Sequence, residues 1–493
     1  MTKRRRSTWR TGVARLSRAE AGRTAGAGDS IQSAQGSAPA DSAPAGRKDF
    51  ALYAVMLAVG AALRLCFPAD VEFKPDEARA LLLGRDWLAN PCVASVGMPS
   101  SVGIPNPPAT VYLFAALYAQ SGGDPERASI GVMLWNVFGL IVAAAWLGRR
   151  RLLGRFWGVW ALGFVCVNPW AVILSRKVWA QDLMLPFVAL ALWGIDAVWA
   201  RTWRWGRVAV GLAAAAMVTQ IHLSGFFWLA AFALGAAIFW PRERLRRAAP
   251  TAGLLALCLL LLSLPWLMGM ARNGLYSGPR TTPLAGPGDR AKALVAVAAT
   301  WLGQGYPALR GPLGPQTRFL TFMGPAWAGL DVLATVVMGI VFAVGAVALA
   351  RMAWLRTRRD SALASGVAPF GFLLSLFFVP TEISAHYGSA LILPGAVTLA
   401  LALRAIESRG RGGGVWRRLL RLSGIAFLAV RLWTSVGFLL YIHAQGGEEG
   451  EYGPALRLKR GAIESSKPGE GYRLPEEASL EFQYLMEQQE MNR

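Results

Sequence analysis

The chain has 493 residues, of which 54% are hydrophobic and only 16% charged. That balance excludes an ordinary soluble globule, in which about a quarter of the residues carry charge. The net charge of +22 would suit a nucleic-acid partner if it lay on one face, but the arginines cluster beside apolar runs, the pattern that orients a membrane protein. No nucleic acid is expected, and an all-α polytopic transmembrane bundle is the fold class that remains.

In chain order, residues 1–46 are rich in Arg, Ala, Gly, Ser and Pro, with too few large apolar residues for a core. They predict a disordered basic cytoplasmic arm whose cations suit anionic membrane lipid. No apolar stretch follows those arginines closely enough for a signal peptide. Apolar runs of the length that crosses a ~30 Å hydrocarbon layer as helix then recur. They lie near 50–67, 129–148, 156–174, 183–199, 208–222, 223–240, 250–271, 328–350, 362–380, 388–404 and 422–442, and make 47–442 one transmembrane domain of about 11 spans.

Basic clusters alternate with these runs. Arg47 and Lys48 precede the first span, Arg149–Arg151 follow the second, Arg204 and Arg207 the fourth, Arg246 and Arg247 the sixth, and Arg417, Arg418 and Arg421 precede the last. Short cytoplasmic loops carry such excesses, so the N-terminus is expected inside. The tail 443–493, with Glu448, Glu449, Glu451, Glu476 and Glu477, is expected on the outer face as an acidic and disordered extension, a partly helical lid being the alternative. The four cysteines have no metal-ligand spacing and read as packing residues.

Three segments fall on the expected outer side. The first begins Glu72-Phe-Lys-Pro-Asp76-Glu77-Ala-Arg79, runs through an amphipathic stretch and reaches Asn106-Pro107-Pro108. Proline suits the first position of a helix, so an interfacial helix from Pro75 is predicted with Asp76 and Glu77 in its first turn. Those carboxylates either complement the helix dipole or do chemistry.

The second segment, Ser175-Arg176-Lys177-Val-Trp-Ala-Gln-Asp182, is costly beside a bilayer unless its charges are paired or face water. It reads as a phosphate-binding cation pair with a further carboxylate, or as snorkelling cations with a capping acid. The third, 272–327, holds Arg272, Arg280, Arg290, Lys292, Arg310 and Arg318 against Asp289. Anion binding would explain this breach of the charge pattern, as would an extra re-entrant helix near 291–302. His222 and His386 sit at span ends, and a lone histidine there is more often structural than a metal ligand. Glu382 lies near His386 in sequence, and His386 is followed by Tyr387.

The order of Pro75-Asp76-Glu77-Ala78, Pro107-Pro108-Ala109-Thr110-Val111-Tyr112, Ser175-Arg176 with Asp182, and His386-Tyr387 before Pro394 resembles the GT-C superfamily of integral membrane glycosyltransferases. The bacterial relatives of protein O-mannosyltransferases and of the lipid A aminoarabinose transferase are the nearest in pattern. Relatives commonly have Arg-Tyr where this chain has His386-Tyr387. The resemblance covers roughly 50–400 and implies transfer of a sugar from a polyprenyl-phosphate donor to a lipid, glycan or protein acceptor at the outer face of the plasma (inner) membrane. It implies a catalytic carboxylate in the first outer loop: Asp76 as base, Glu77 positioning acceptor or metal, and Asp182 in support. Arg176, Lys177, Arg272, His386 and Tyr387 are the expected substrate-binding residues, and the possible cofactor is a divalent cation. The rival reading is a transporter or flippase for a lipid-linked saccharide, against which the sequence has no clear internal repeat.

Overall fold

A computed structural model describes residues 47–100, 104–149, 153–199, 205–240, 242–273, 286–304, 317–354, 385–409, 413–447, 452–465 and 480–491. The predicted arm and the predicted span 362–380 lie outside the described residues. The chain is an all-α membrane protein, with no strand among the described residues. Five helices are long and apolar enough to cross a membrane, and further shorter apolar helices accompany them.

Helix α1 (Arg47–Leu65) covers most of the predicted first span. The predicted interfacial helix is α2 (Pro75–Ala89), with proline at its first position, and α3 (Ala109–Ser121) follows the Pro107-Pro108 pair. Gly84 of α2 abuts the backbone of Phe114 on α3 so closely that a Cβ would collide. The two helices therefore form one unit beside α4 (Pro125–Leu147).

The predicted third span is two helices rather than one, α5 (Gly154–Val167) and α6 (Pro169–Leu174). Pro169 has no N–H to continue the ladder, and every exposed backbone group must then be satisfied inside the protein. Asn168 caps α6 by accepting from Trp170 and Ala171 N–H at 3.0 and 3.2 Å. Buried Arg64 of α1 donates to the carbonyls of Cys166 at 3.1 Å and Val165 at 3.2 Å, and Ser435 Oγ donates to Val167 O at 2.8 Å. The break aims residues 175–182 across the end of α1.

The bundle continues with α7 (Met184–Trp199) and α8 (Trp205–Ile221). Gly194 of α7 faces Gly211 of α8 in a contact that only glycines permit, the small-residue packing usual between membrane helices. Next come α9 (Ser224–Phe239), α10 (Arg242–Asn273) and α11 (Pro287–Trp301). The last of these occupies the position of the extra helix anticipated near 291–302. Helices α12 (Thr317–Met323), α13 (Pro325–Trp354), α14 (Ile392–Arg409) and α15 (Gly413–Gln445) complete the apolar set. Asp331 of α13 and Arg431 of α15 form a fully buried ion pair, with Thr335 Oγ1 accepting from the guanidinium at 2.7 Å.

Within the tail, the described residues 452–465 and 480–491 are largely helical, as in the partly helical alternative. Gly446 and Gly447 take left-handed φ of 79° and 82°, which glycine adopts without strain, and they turn the chain back at the end of α15. Helices α16 (Leu456–Ser465) and α17 (Leu480–Met491) then lie against the first loop.

Candidate active site

Helix α2 starts by using one of its two acids structurally. Glu77 Oε2 accepts the N–H of Lys74 at 2.9 Å, satisfying a donor that the first turn would otherwise leave unpaired. Its other oxygen, Oε1, lies 3.0 Å from Lys177 Nζ. Glu77 is buried, whereas the side chain of Asp76, one residue earlier, is 50% exposed. The adjacent carboxylates therefore differ: the dipole-and-cap reading holds for Glu77, and Asp76 is left open beside Arg79 at 3.8 Å.

The partner of Glu77 comes from the second segment. Lys177 is buried between Glu77 and Glu72, pairing with both, and lies over the Trp179 ring at 4.5 Å. Glu72 also pairs with Lys74 at 2.5 Å. Burial opposes the Lys177 ammonium, but Glu72, Glu77 and Asp182 outweigh it and hold its pKa well above the ordinary lysine value. For Glu77, burial prevails over Lys177 and raises the carboxyl pKa. Asp182 goes further: burial first, then the neighbouring Glu77 and Glu72, push it well above the carboxylate range against the pull of Lys177. Neither oxygen of Asp182 has a hydrogen-bond partner among the described residues. Asp182 thus lies buried beside the cluster, its backbone carbonyl fixed by Asn136 Nδ2 at 2.8 Å.

Arg176 is buried at the end of α1. That helix exits through Phe67, a non-glycine residue at φ 49°, so its last carbonyls need donors from elsewhere. Arg176 Nη1 donates to Arg64 O at 2.8 Å and Cys66 O at 2.6 Å, and Nη2 donates to Phe67 O at 2.8 Å. Both terminal nitrogens serve the helix end.

His222 is also buried. Its Nδ1 accepts the Ser224 backbone N–H at 3.1 Å, and its Nε2 lies 3.1 Å from the Gln181 amide, in keeping with a structural histidine. Arg272 is exposed in the last turn of α10. His386 and Tyr387 fall on a 3-10 segment, Ala385–Leu391, with side chains outside the described residues, as are Glu382, Arg280 and Arg310.

Asp76, Glu77, Lys177 and Asp182 are therefore brought to one place. Sequence reasoning missed Glu72 and Arg79 as members of this neighbourhood. A signal existed for Arg79, which is one helical turn from Asp76, where side chains meet. None existed for Glu72. Among the described residues no group of three or more His, Cys, Asp or Glu side chains is arranged to hold a metal ion. The Lys177 ammonium lies between Glu72 and Glu77 and pairs with both.

No protein-family profile and no curated protein matches the sequence. Solved structures do match. ArnT from Cupriavidus metallidurans in the apo state superposes with a TM-score of 0.50 at 15% identity, over 84% of this chain and 78% of that one. The same protein bound to undecaprenyl phosphate gives 0.40 at 15% identity, over 80% and 78%. The archaeal oligosaccharyltransferase AglB from Archaeoglobus fulgidus, in complex with an inhibitory peptide and a dolichol-phosphate, gives 0.46 at 13% identity, over 88% of this chain and 60% of that one. The chain therefore has the all-α membrane fold seen in ArnT.

Proposed function

We propose that the protein is a membrane glycosyltransferase that moves a sugar from a polyprenyl-phosphate donor to a hydroxyl-bearing lipid, glycan or protein at the outer face of the plasma membrane. The observation that carries this reading is the division of labour in the first turn of α2. Glu77 is locked into a buried ion pair, which fixes the backbone, and Asp76 is presented half-exposed from that rigid turn.

The chemistry needs one base and a home for an anion. The acceptor oxygen attacks the anomeric carbon, its proton passes to the Asp76 carboxylate, and the bond from that carbon to the phosphate oxygen breaks. The electron pair leaves with the polyprenyl phosphate. A phosphate leaving group needs no protonating acid, which sets this site apart from the two-carboxylate glycosidase arrangement.

Lys177 and Arg176 are already engaged with protein groups, so the phosphate is assigned to accessible cations. Arg79 is the best placed of these, 46% exposed and next to Asp76. Arg176 is assigned instead to the end of α1, with Lys177 as the cation that holds Glu72 and Glu77 together.

Two variants test the division. Arg79→Gln is expected to raise the donor KM about 10-fold, the scale of one charge-assisted phosphate contact, without lowering the unfolding temperature. An unchanged donor KM would remove Arg79 from the phosphate site. Arg176→Gln is expected to destabilise by about 3 kcal/mol through unsatisfied carbonyls, seen as a lower unfolding temperature in detergent. A raised donor KM at unchanged stability would restore Arg176 to substrate binding.

A further inference from the structure

The tail engages three consecutive residues of the backbone that leads into α2. The Leu456 N–H donates to Val71 O at 2.9 Å. The Glu72 N–H donates to the Tyr452 hydroxyl at 3.1 Å, and the Gly453 N–H donates to Glu72 Oε1 at 3.3 Å. Lys459 Nζ donates to Phe73 O at 2.7 Å and pairs with Glu481 of α17 at 2.9 Å. Glu72 and Ala455 form an isolated antiparallel bridge. All of these groups are buried.

Beyond this strip, α16 and α17 grip both flanks of the loop. Arg460 bonds Asp124 at 2.6 Å and Glu126 at 3.1 Å at the start of α4. The Tyr484 hydroxyl donates to Gly123 O at 2.6 Å, and Glu487 pairs with Arg85 of α2 at 3.0 Å.

Glu72 is the hinge of the argument. Its carboxylate is buried, and it meets Lys74, Lys177 and the tail at once. A buried carboxylate keeps such partners only while its backbone is held in register, because each partner approaches from a different direction. The register of Glu72 is set by Tyr452 and by the bonds on either side of it. Displacing it would move Lys177, and with Lys177 the ion pair that fixes Glu77 and the first turn of α2.

We propose that residues 452–465 and 480–491 form a clamp that positions the first-loop carboxylates, with Tyr452 and Lys459 acting as positioning residues through Glu72 and Lys177 on Glu77 and Asp76. Neither residue touches the reacting atoms. The kinetic consequence of the clamp rests on the glycosyl-transfer reading; its structural consequence does not.

Two full-length variants separate the clamp from mere folding. Tyr452→Phe keeps the edge-on ring contact with Phe438, 5.2 Å between centroids, and removes only the hydroxyl. The double variant Lys459→Met/Glu481→Gln removes the bond to Phe73 O without leaving a lone buried charge. Hydrogen exchange of purified protein in detergent is expected to be about 10-fold faster over residues 71–77 in both variants, the scale of one lost hydrogen bond, and unchanged over 125–147.

With a panel of synthetic polyprenyl-phosphate hexoses and pentoses as donors, kcat is expected to fall at least about 10-fold while the donor KM stays within about 2-fold, the signature of misplaced groups rather than lost binding. Unchanged exchange over 71–77 overturns the clamp. Faster exchange with unchanged kcat overturns the positioning role. If the unsubstituted protein uses no donor of the panel, the transferase reading falls, and the exchange result alone decides the clamp.

Discussion

Asp76→Asn is expected to abolish sugar transfer, by about 10²–10⁴-fold or more for the loss of a positioned base, while membrane abundance and unfolding temperature stay within error of the parent. The stability half of this expectation follows from exposure. Asp76 is half-exposed, and its contact with Arg79 spans 3.8 Å, a geometry in which ion pairs contribute little. Its position in the first turn of α2 adds only a dipole interaction of about 0.3–1 kcal/mol.

Glu77→Gln makes the contrasting case, because that carboxylate is buried on Lys177. It is expected to lower both stability and activity. Measuring transfer, abundance and thermal unfolding for the two variants side by side separates the roles. Full transfer by Asp76→Asn protein would remove Asp76 as the base, and equal destabilisation by both variants would remove the division of labour itself.

Much of this arrangement was legible in the sequence because it is local or repetitive. Apolar runs located the helices, since burying a helical backbone in lipid requires about 20 apolar residues in a row. Pro75 located the start of α2. The break at Asn168 was hidden by the uniform apolarity of 156–174, although Pro169 marks it in hindsight.

Partners distant along the chain were not legible. Lys177 meets Glu77 and Glu72 from about 100 residues away; sequence showed two cations in a short turn, and folding sets one against buried acids and the other on helix-end carbonyls. The docking of the tail helices was not legible for a related reason. The tail's acidic stretches suggested solvation, but Gly446-Gly447 after an apolar helix is a helix-stop signal. Leu456, buried at the head of α16, anchors that helix to the first loop.

Lys177→Met is expected to be the most damaging single change in the region. It would leave Glu72 and Glu77 buried with only Lys74 opposing them, and removing one partner of a buried charged cluster costs about 3–5 kcal/mol. The protein is expected to be depleted from membranes and to unfold at markedly lower temperature, with partial recovery when Glu77→Gln is added. No recovery in the double variant would mean that Lys177 acts by packing on Trp179 rather than by charge.

The same cluster gives the pH response its sign. The raised pKa of Lys177 contributes stability that is fully present below the unfolded lysine value of about 10.4 and is lost as pH rises through the higher folded value. Asp182 is a carboxyl whose folded pKa is raised, so the folded state keeps a proton that the unfolded state releases above about pH 3.9. Stability therefore falls as pH rises from there towards the folded value.

As pH rises above the unfolded value of about 3.9, the unfolding temperature is expected to decline in the parent protein and to decline less in Asp182→Asn, which carries its neutral form permanently. An equal slope in both proteins would show that the proton is not on Asp182.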